Sequence, residues 1–142
     1  MALASPRVAG FIYTALTADA TLISLLGNPP RIYRDMIPQD VNAYPAIVVQ
    51  NLSATPTVAN GANRVLSSDL WLVKIIGQGE SHAPITTIGD RIDAVLQGRS
   101  GTTDGAHIPP LNLESSLAYS ELEGSKRWSY LDLIYRAYPH AA

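Results

Sequence analysis

The residues best able to do chemistry in this chain are few, and their spacing argues against it. Gly77-Gln78-Gly79 follows a β-prone run and precedes a helical one, the position of a phosphate-cradling loop. The third glycine of a dinucleotide fingerprint is missing, as are the lysine and hydroxyl of a nucleotide-triphosphate loop, and Glu80 would repel an anion. The stretch reads as a plain strand-to-helix turn. His82, His107 and His140 have no ligand spacing; His82 at a helix start and His140 in the tail read as solvated. Ser100, in Arg99-Ser100-Gly101, lacks the glycine spacing of a nucleophile elbow. Asp90 and Asp93 bracket Arg91 on the expected wet face of a helix, which suits solvation better than acid/base work. Glu121 and Glu123 are expected opposite Lys126 and Arg127 across a hairpin, each cross-strand pair contributing about 0.2–1 kcal/mol. Asn51-Leu52-Ser53 matches a glycosylation pattern but falls in a strand of a chain with no secretion signal. No catalytic, cofactor-binding or metal-binding residue is assigned.

The bulk composition agrees. A chain of 142 residues is expected to be one domain, spanning 1–142, with a core sufficient to fold without staples. Charged residues make up 15%, below the usual share of about 25%. That suits a surface partly buried against partners. The formal net charge of −2 lacks the basic excess of a tight nucleic-acid binder. There is no cysteine, which removes disulfides, thiol nucleophiles and thiolate zinc sites. No signal peptide or membrane span is read from the first residues, so the expected setting is the cytosol or a virion assembled there.

The elements that would position these residues follow from periodicity. Ser5-Pro6 is a helix start, with Val8, Phe11, Ile12, Ala15 and Leu16 at helical spacing. Asp19 caps a second short turn bearing Leu22, Ile23 and Leu26, stopped by Gly27. "RIYRDMI" (31–37) is β-prone, and "AIVVQNLS" (46–53) is a stronger strand. "SATPTVANGANRVLS" (53–67), centred on Asn60-Gly61, reads as an arm beyond the sheet or a loop ordered by a neighbour. "SDLWLVKIIG" (68–77) is apolar on both faces except for Lys74 and belongs at the sheet's centre. Ser81 is expected to cap a helix bearing Ile85, Ile88, Ile92, Val95 and Leu96, closed by Gly98, with Asp90, Arg91, Asp93 and Gln97 on its polar face. Residues 99–110 read as a long turn-rich loop, and two strands, Asn112–Glu121 and Lys126–Tyr138, close the chain. The order α-β-β-β-α-β-β implies an α+β fold, a mostly antiparallel sheet with two helices packed on one face.

Between the early strands lies "MIPQDVNAYPAIVVQ". Pro38 and Pro45 push Ile37 and Tyr44 into extended conformations, holding Gln39 and Asp40 on a stiff turn at the sheet's edge. Such a turn suits contact with another subunit better than catalysis.

Five features in this order carry a family resemblance. They are a helix ending "ADATLISLLG", then "RIYRDMIPQDVNAYPAIVV", then "DLWLVKIIGQG", "ITTIGDRIDAVLQG" and "RWSYLDLIYRAY". The chain resembles the tail-terminator, or tail-completion, proteins of long-tailed bacteriophages, departing from them in the long 53–67 segment and the glycine-rich 99–110 loop. The resemblance implies a self-associating ring, usually a hexamer, located in the virion at the tail or neck. It would cap the head-proximal end of the tail tube, stop tube polymerisation and offer a surface for head joining. The implied partners are further copies of the chain, the major tail tube protein and the head-tail connector or stopper. DNA would pass through the channel without specific binding. Candidate interface residues are Pro38, Gln39, Asp40, Tyr44 and Pro45 on the stiff turn, and Thr57, Val58, Asn60, Gly61 and Arg64 on the arm. Two other readings remain at this point: a head-side neck connector or stopper ring, and a small nucleotide- or ligand-binding enzyme using Gly77-Gln78-Gly79.

Overall fold

The computed structural model describes residues 5–40, 43–58, 64–79 and 81–141. The first helix, α1 (Ser5–Thr17), turns Val8, Ile12, Ala15 and Leu16 inward, as the periodicity requires. A second, α2 (Ala20–Leu26), is a true helix rather than a turn, so the described residues form three helices instead of two. Its N-cap is Asp19, whose carboxylate accepts the Leu22 amide at 3.0 Å. Gly27 ends it at φ 91°, a left-handed value. The third, α3 (Ala83–Leu96), buries Ile85, Ile88, Ile92 and Leu96. Its N-cap is His82, without a side-chain cap bond. The expected cap, Ser81, sits one position early and accepts the Ala83 amide at 3.1 Å.

Five strands form the main sheet in the order β1-β2-β3-β7-β6: β1 (Ile32–Arg34), β2 (Ala46–Val58), β3 (Arg64–Gln78), β7 (Lys126–Ala137) and β6 (Asn112–Glu123). β3 is central, as its two apolar faces demand. All neighbours are antiparallel except β1 and β2, which run parallel. Cross-strand partners share a face. One row therefore joins Ile32, Ile47, Ile75 and Leu131, and another joins Val49, Val73 and Leu133. These rows meet the inward residues of the helices and form the core. Tyr135 is its largest fully buried side chain. The opposite face carries Val48, Leu72, Lys74, Ile76, Tyr130, Asp132 and Ile134, and none of these belongs to the helix-covered core.

The polar face of α3 is tied to its neighbours. Tyr135 donates its hydroxyl to Asp93 at 2.9 Å, and burial pushes that phenol far above its ordinary pKa. Gln97 donates to Asn112 and accepts the Leu113 amide, fixing the end of α3 to the start of β6. Arg91 reaches Asp19 with Nε at 2.9 Å and with a second guanidinium nitrogen, joining α3 to the cap of α2. The hydrogen bond from Arg91 holds the Asp19 carboxyl below its usual value, with the Leu22 amide adding to the effect against opposing burial. A carboxylate depressed on folding contributes stability that is present above its unfolded pKa and lost as pH falls through its folded one. Asp19→Asn keeps an N-capping side chain but removes the charge. Its Tm deficit relative to wild type is expected to be full at neutral pH and to shrink below about pH 4, measured by thermal melts across that range.

The segment 99–110 is ordered by a small second sheet, where a loop was expected. β4 (Gly101–Thr103) and β5 (Ala106–Ile108) make a hairpin, and β8 (His140–Ala141) pairs with β5. Its turn is Asp104-Gly105, both at positive φ (47° and 77°), the backbone of a type I′ turn. At Gly101 an added Cβ would lie 2.9 Å from the Phe11 ring, so glycine lets the hairpin approach α1. This sheet makes His107 and His140 cross-strand neighbours, with ring centroids 4.9 Å apart, where the sequence showed only separation. His82 is half-buried and bonds the Tyr119 carbonyl oxygen at 3.1 Å instead of standing solvated.

The β6–β7 hairpin turns through Gly124-Ser125, with Gly124 at φ 62°. This places Glu123 opposite Lys126, as expected. Glu121 faces Trp128 and Arg127 faces Leu122, which corrects the second pairing. Among the described residues no single helix is long and apolar enough to cross a membrane.

Candidate functional site

The two candidate surfaces lie at opposite ends of β2. The strand has 13 residues, so its ends are separated by about 40 Å. At the first end, Pro38, Gln39 and Asp40 are exposed. Met36, just before them, is 73% exposed, a large apolar side chain left in solvent. The base of this turn is rigidly held. Tyr44 packs edge-on against Trp128, with ring centroids 4.9 Å apart at 77°. The Tyr44–Pro45 peptide is cis, and the Pro45 carbonyl accepts Arg31 Nε at 2.9 Å. Asp35 donates its amide to Val49 and accepts the Gln50 side chain, pinning the other limb.

Beside this turn is a cleft of about 550 Å³, lined by Tyr44, Gln78, Trp128 and the β6–β7 turn from Glu123 to Lys126. Trp128 Nε1 is buried there with no acceptor among the described residues. The sequence reading passed over Trp128. Its signal was the alternation in "RWSYLDLIYRA", which sends Trp128, Tyr130, Asp132, Ile134 and Arg136 to one face and Ser129, Leu131, Leu133 and Tyr135 to the other.

At the other end, the described parts of the 53–67 segment, 53–58 and 64–67, continue β2 and β3 as the two strands of the candidate arm. β2 and β3 stay paired out to Val58 and Arg64, with register shifts at Asn51/Ser53 and Thr57/Val58. Asn60 and Gly61 lie outside the described residues, while Thr57, Val58 and Arg64 are placed on the two strands of the arm. The base of the arm is secured where β7 stops pairing, at Asp69 and Ala137. Asp69 is fully buried and accepts the Ser67 hydroxyl and the Trp71 indole. The Ser67 amide donates to the Pro139 carbonyl, and Arg136 donates to the Ser68 hydroxyl. The turn and the arm strands are therefore two separate candidate surfaces, joined by one continuous strand.

Between them, the helix-free face of the sheet carries the ion pairs Lys74–Asp132 and Arg136–Glu114. Lys74 Nζ lies 3.9 Å from Asp132 and over the Tyr119 and Tyr130 rings, at 5.6 and 5.4 Å from their centroids. Those two rings stack at 4.9 Å. Burial raises the Asp132 carboxyl more than Lys74 lowers it. Burial also pulls the Lys74 ammonium down, but Tyr119 and Asp132 together hold it above its ordinary value. Arg136 grips Glu114 through two nitrogens, at 3.0 and 3.1 Å.

Gly77-Gln78-Gly79 serves the fold. An added Cβ at Gly77 would lie 2.8 Å from Ile85 Cγ2, so glycine there permits α3 to close on the sheet. The Gly79 amide donates to Arg127 and its carbonyl accepts the Ser129 hydroxyl. The Gly79 amide, a donor that an anion would need, is thus committed. Among the described residues there is no cluster of three or more potential metal ligands.

A chain of the solved virion of the native gene transfer agent particle has the same fold. It matches with a TM-score of 0.83 at 16% identity, over 99% of this chain and 100% of that one. A second solved chain matches with a TM-score of 0.50 at 10% identity, over 90% of this chain and 94% of its own length. No curated protein matches the sequence. The family model described as tail completion protein gp17 matches residues 11–138, from the middle of α1 to the end of the main sheet. By that match the chain belongs to the tail completion protein gp17 family and is a structural tail protein.

Proposed function

We propose that copies of this chain close into a ring, six in number, that caps the head-proximal end of a tail tube. The ring stops tube polymerisation and presents the surface that joins the head. The observation that carries this reading is the family match across residues 11–138. The likeness to a chain of a gene transfer agent virion supports it. So does the separation of two assembly surfaces, since a cyclic ring needs one patch of each subunit to meet a different patch of the next. Its further partners are the tail tube protein on one side and the head connector on the other, met in the host cytoplasm before the virion is complete. The function is structural and not enzymatic. The paired charges of the helix-free face suit a channel through which DNA passes without being held, because an excess of positive charge would retain it.

Purified protein added to polymerising tube subunits tests this directly. Tubes are expected to stop at shorter lengths and to bear a cap at one end. An unchanged length distribution, with the protein binding empty heads instead of tubes, would assign it to the head-side stopper.

A further inference from the structure

Among the described residues, two long strand edges lack a partner strand; β1, β4 and β8 also sit at edges but have only two or three residues each. β6 is the last strand on one side of the main sheet, paired only with β7, and it runs without a bulge from Ser115 to Glu123. It is exposed along almost its whole length, with Leu117 59% and Leu122 69% exposed on opposite faces. No lysine, arginine or proline guards it. A long edge of this kind is a template for another strand. The second edge belongs to the arm. β1 accompanies β2 only as far as Val49, so among the described residues the outer side of β2 has no partner strand from Asn51 to Val58, with Pro56 the one residue there that offers no amide. On its inner side, β3 has already left β7 at Asp69, which makes the arm a two-stranded ribbon. Such ribbons are marginal in water and gain most from a third strand.

We propose that Asn51–Val58 of one copy adds as an extra strand to β6 of the next copy. The proposal rests on the ring reading and names its seam. The two free edges are of similar length, and Leu52, 48% exposed, gains cover in the pairing. The arm strand has no charged residue between Asn51 and Val58, so it meets Glu121 and Glu123 of β6 without like-charge repulsion. Glu114 is already neutralised by Arg136. The contact is heterologous, arm to edge, and repeats around a cyclic ring. Pairing β6 with itself would instead give a two-fold dimer and leave the arm uncovered. Main-chain pairing supplies the hold, and the alternate side chains supply register.

The chain contains no cysteine, so introduced ones report cleanly. Ser53→Cys and Thr55→Cys mark the arm, and Ser116→Cys and Ser120→Cys mark β6; all four positions are exposed. Directly paired residues in adjacent strands lie about 4.5–5.5 Å apart, within disulfide reach. Full-length single variants are mixed pairwise, oxidised and run on non-reducing gels, and particle mass is measured in solution. Arm and β6 variants together are expected to give covalent dimers, and neither class alone. A β6 variant that links to itself would overturn the proposal in favour of self-pairing. Closed particles of ring mass without arm-to-β6 links would overturn the seam and leave the ring standing. Linked chains that never reach a closed mass would uphold the seam and overturn the ring. Protein that remains monomeric and unlinked would overturn both.

Discussion

Deleting Thr57–Asn63 is expected to impair tube termination strongly while leaving the fold in place. The body of the protein does not depend on the end of the arm, because the core rows run through residues 47–49, 71–75 and 131–135. The arm's base remains fixed by buried Asp69 and by the Ser67–Pro139 bond. The Tm is therefore expected to stay close to wild type. The protein needed to halt half of the growing tubes should rise by at least about tenfold, the consequence of losing about 1.4 kcal/mol or more of contact energy. Asp40→Lys, at the opposite end of β2, is expected to act in the same direction by reversing an exposed charge on the stiff turn. If both variants terminate tubes as efficiently as wild type, the two surfaces are wrongly assigned.

The largest effect on stability is expected at Tyr135. Its ring is fully buried between α3 and the sheet, and its hydroxyl satisfies Asp93. Tyr135→Ala removes the ring, leaves a cavity and strands the partner, a loss of about 3–5 kcal/mol. That is a large part of the 5–15 kcal/mol typical of a domain. In urea or guanidinium titrations the midpoint should fall while the slope stays constant, since the same surface is exposed on unfolding. A midpoint within the range of surface substitutions would mean that Tyr135 does not join α3 to the sheet.

Much of this architecture could be read from side-chain pattern, because burial imposes it. Residues 68–77 are apolar on both faces except for Lys74, and β3 is the middle strand of the five, with helices above it. The spacing of Val8, Ile12 and Leu16, and of Ile85, Ile88 and Ile92, identified the buried stripes of α1 and α3. What pattern could not supply was pairing between distant segments. The parallel union of β1 with β2, the meeting of His107 with His140 and the bond from Tyr135 to Asp93 depend on how the sheet folds back. Local signals were also available and unused. Asp104-Gly105 is a strong hairpin dipeptide, yet its flanking strands are so short that the segment resembled a loop. The two-residue turn at Gly124-Ser125 sets the register that puts Glu121 opposite Trp128. Of the candidate site, the turn at 38–45 and the 53–67 run were singled out as candidates, by proline placement and by polarity. The Trp128 cleft was not, because it is built from three segments distant in sequence.

The central claim is that this protein ends the tail tube. Electron microscopy of lysates from the parent particle with this gene disrupted tests it most directly. Overlong or irregular tails without heads, beside full heads, are the predicted result. Tails of normal length that fail to join heads, or intact virions, would contradict it.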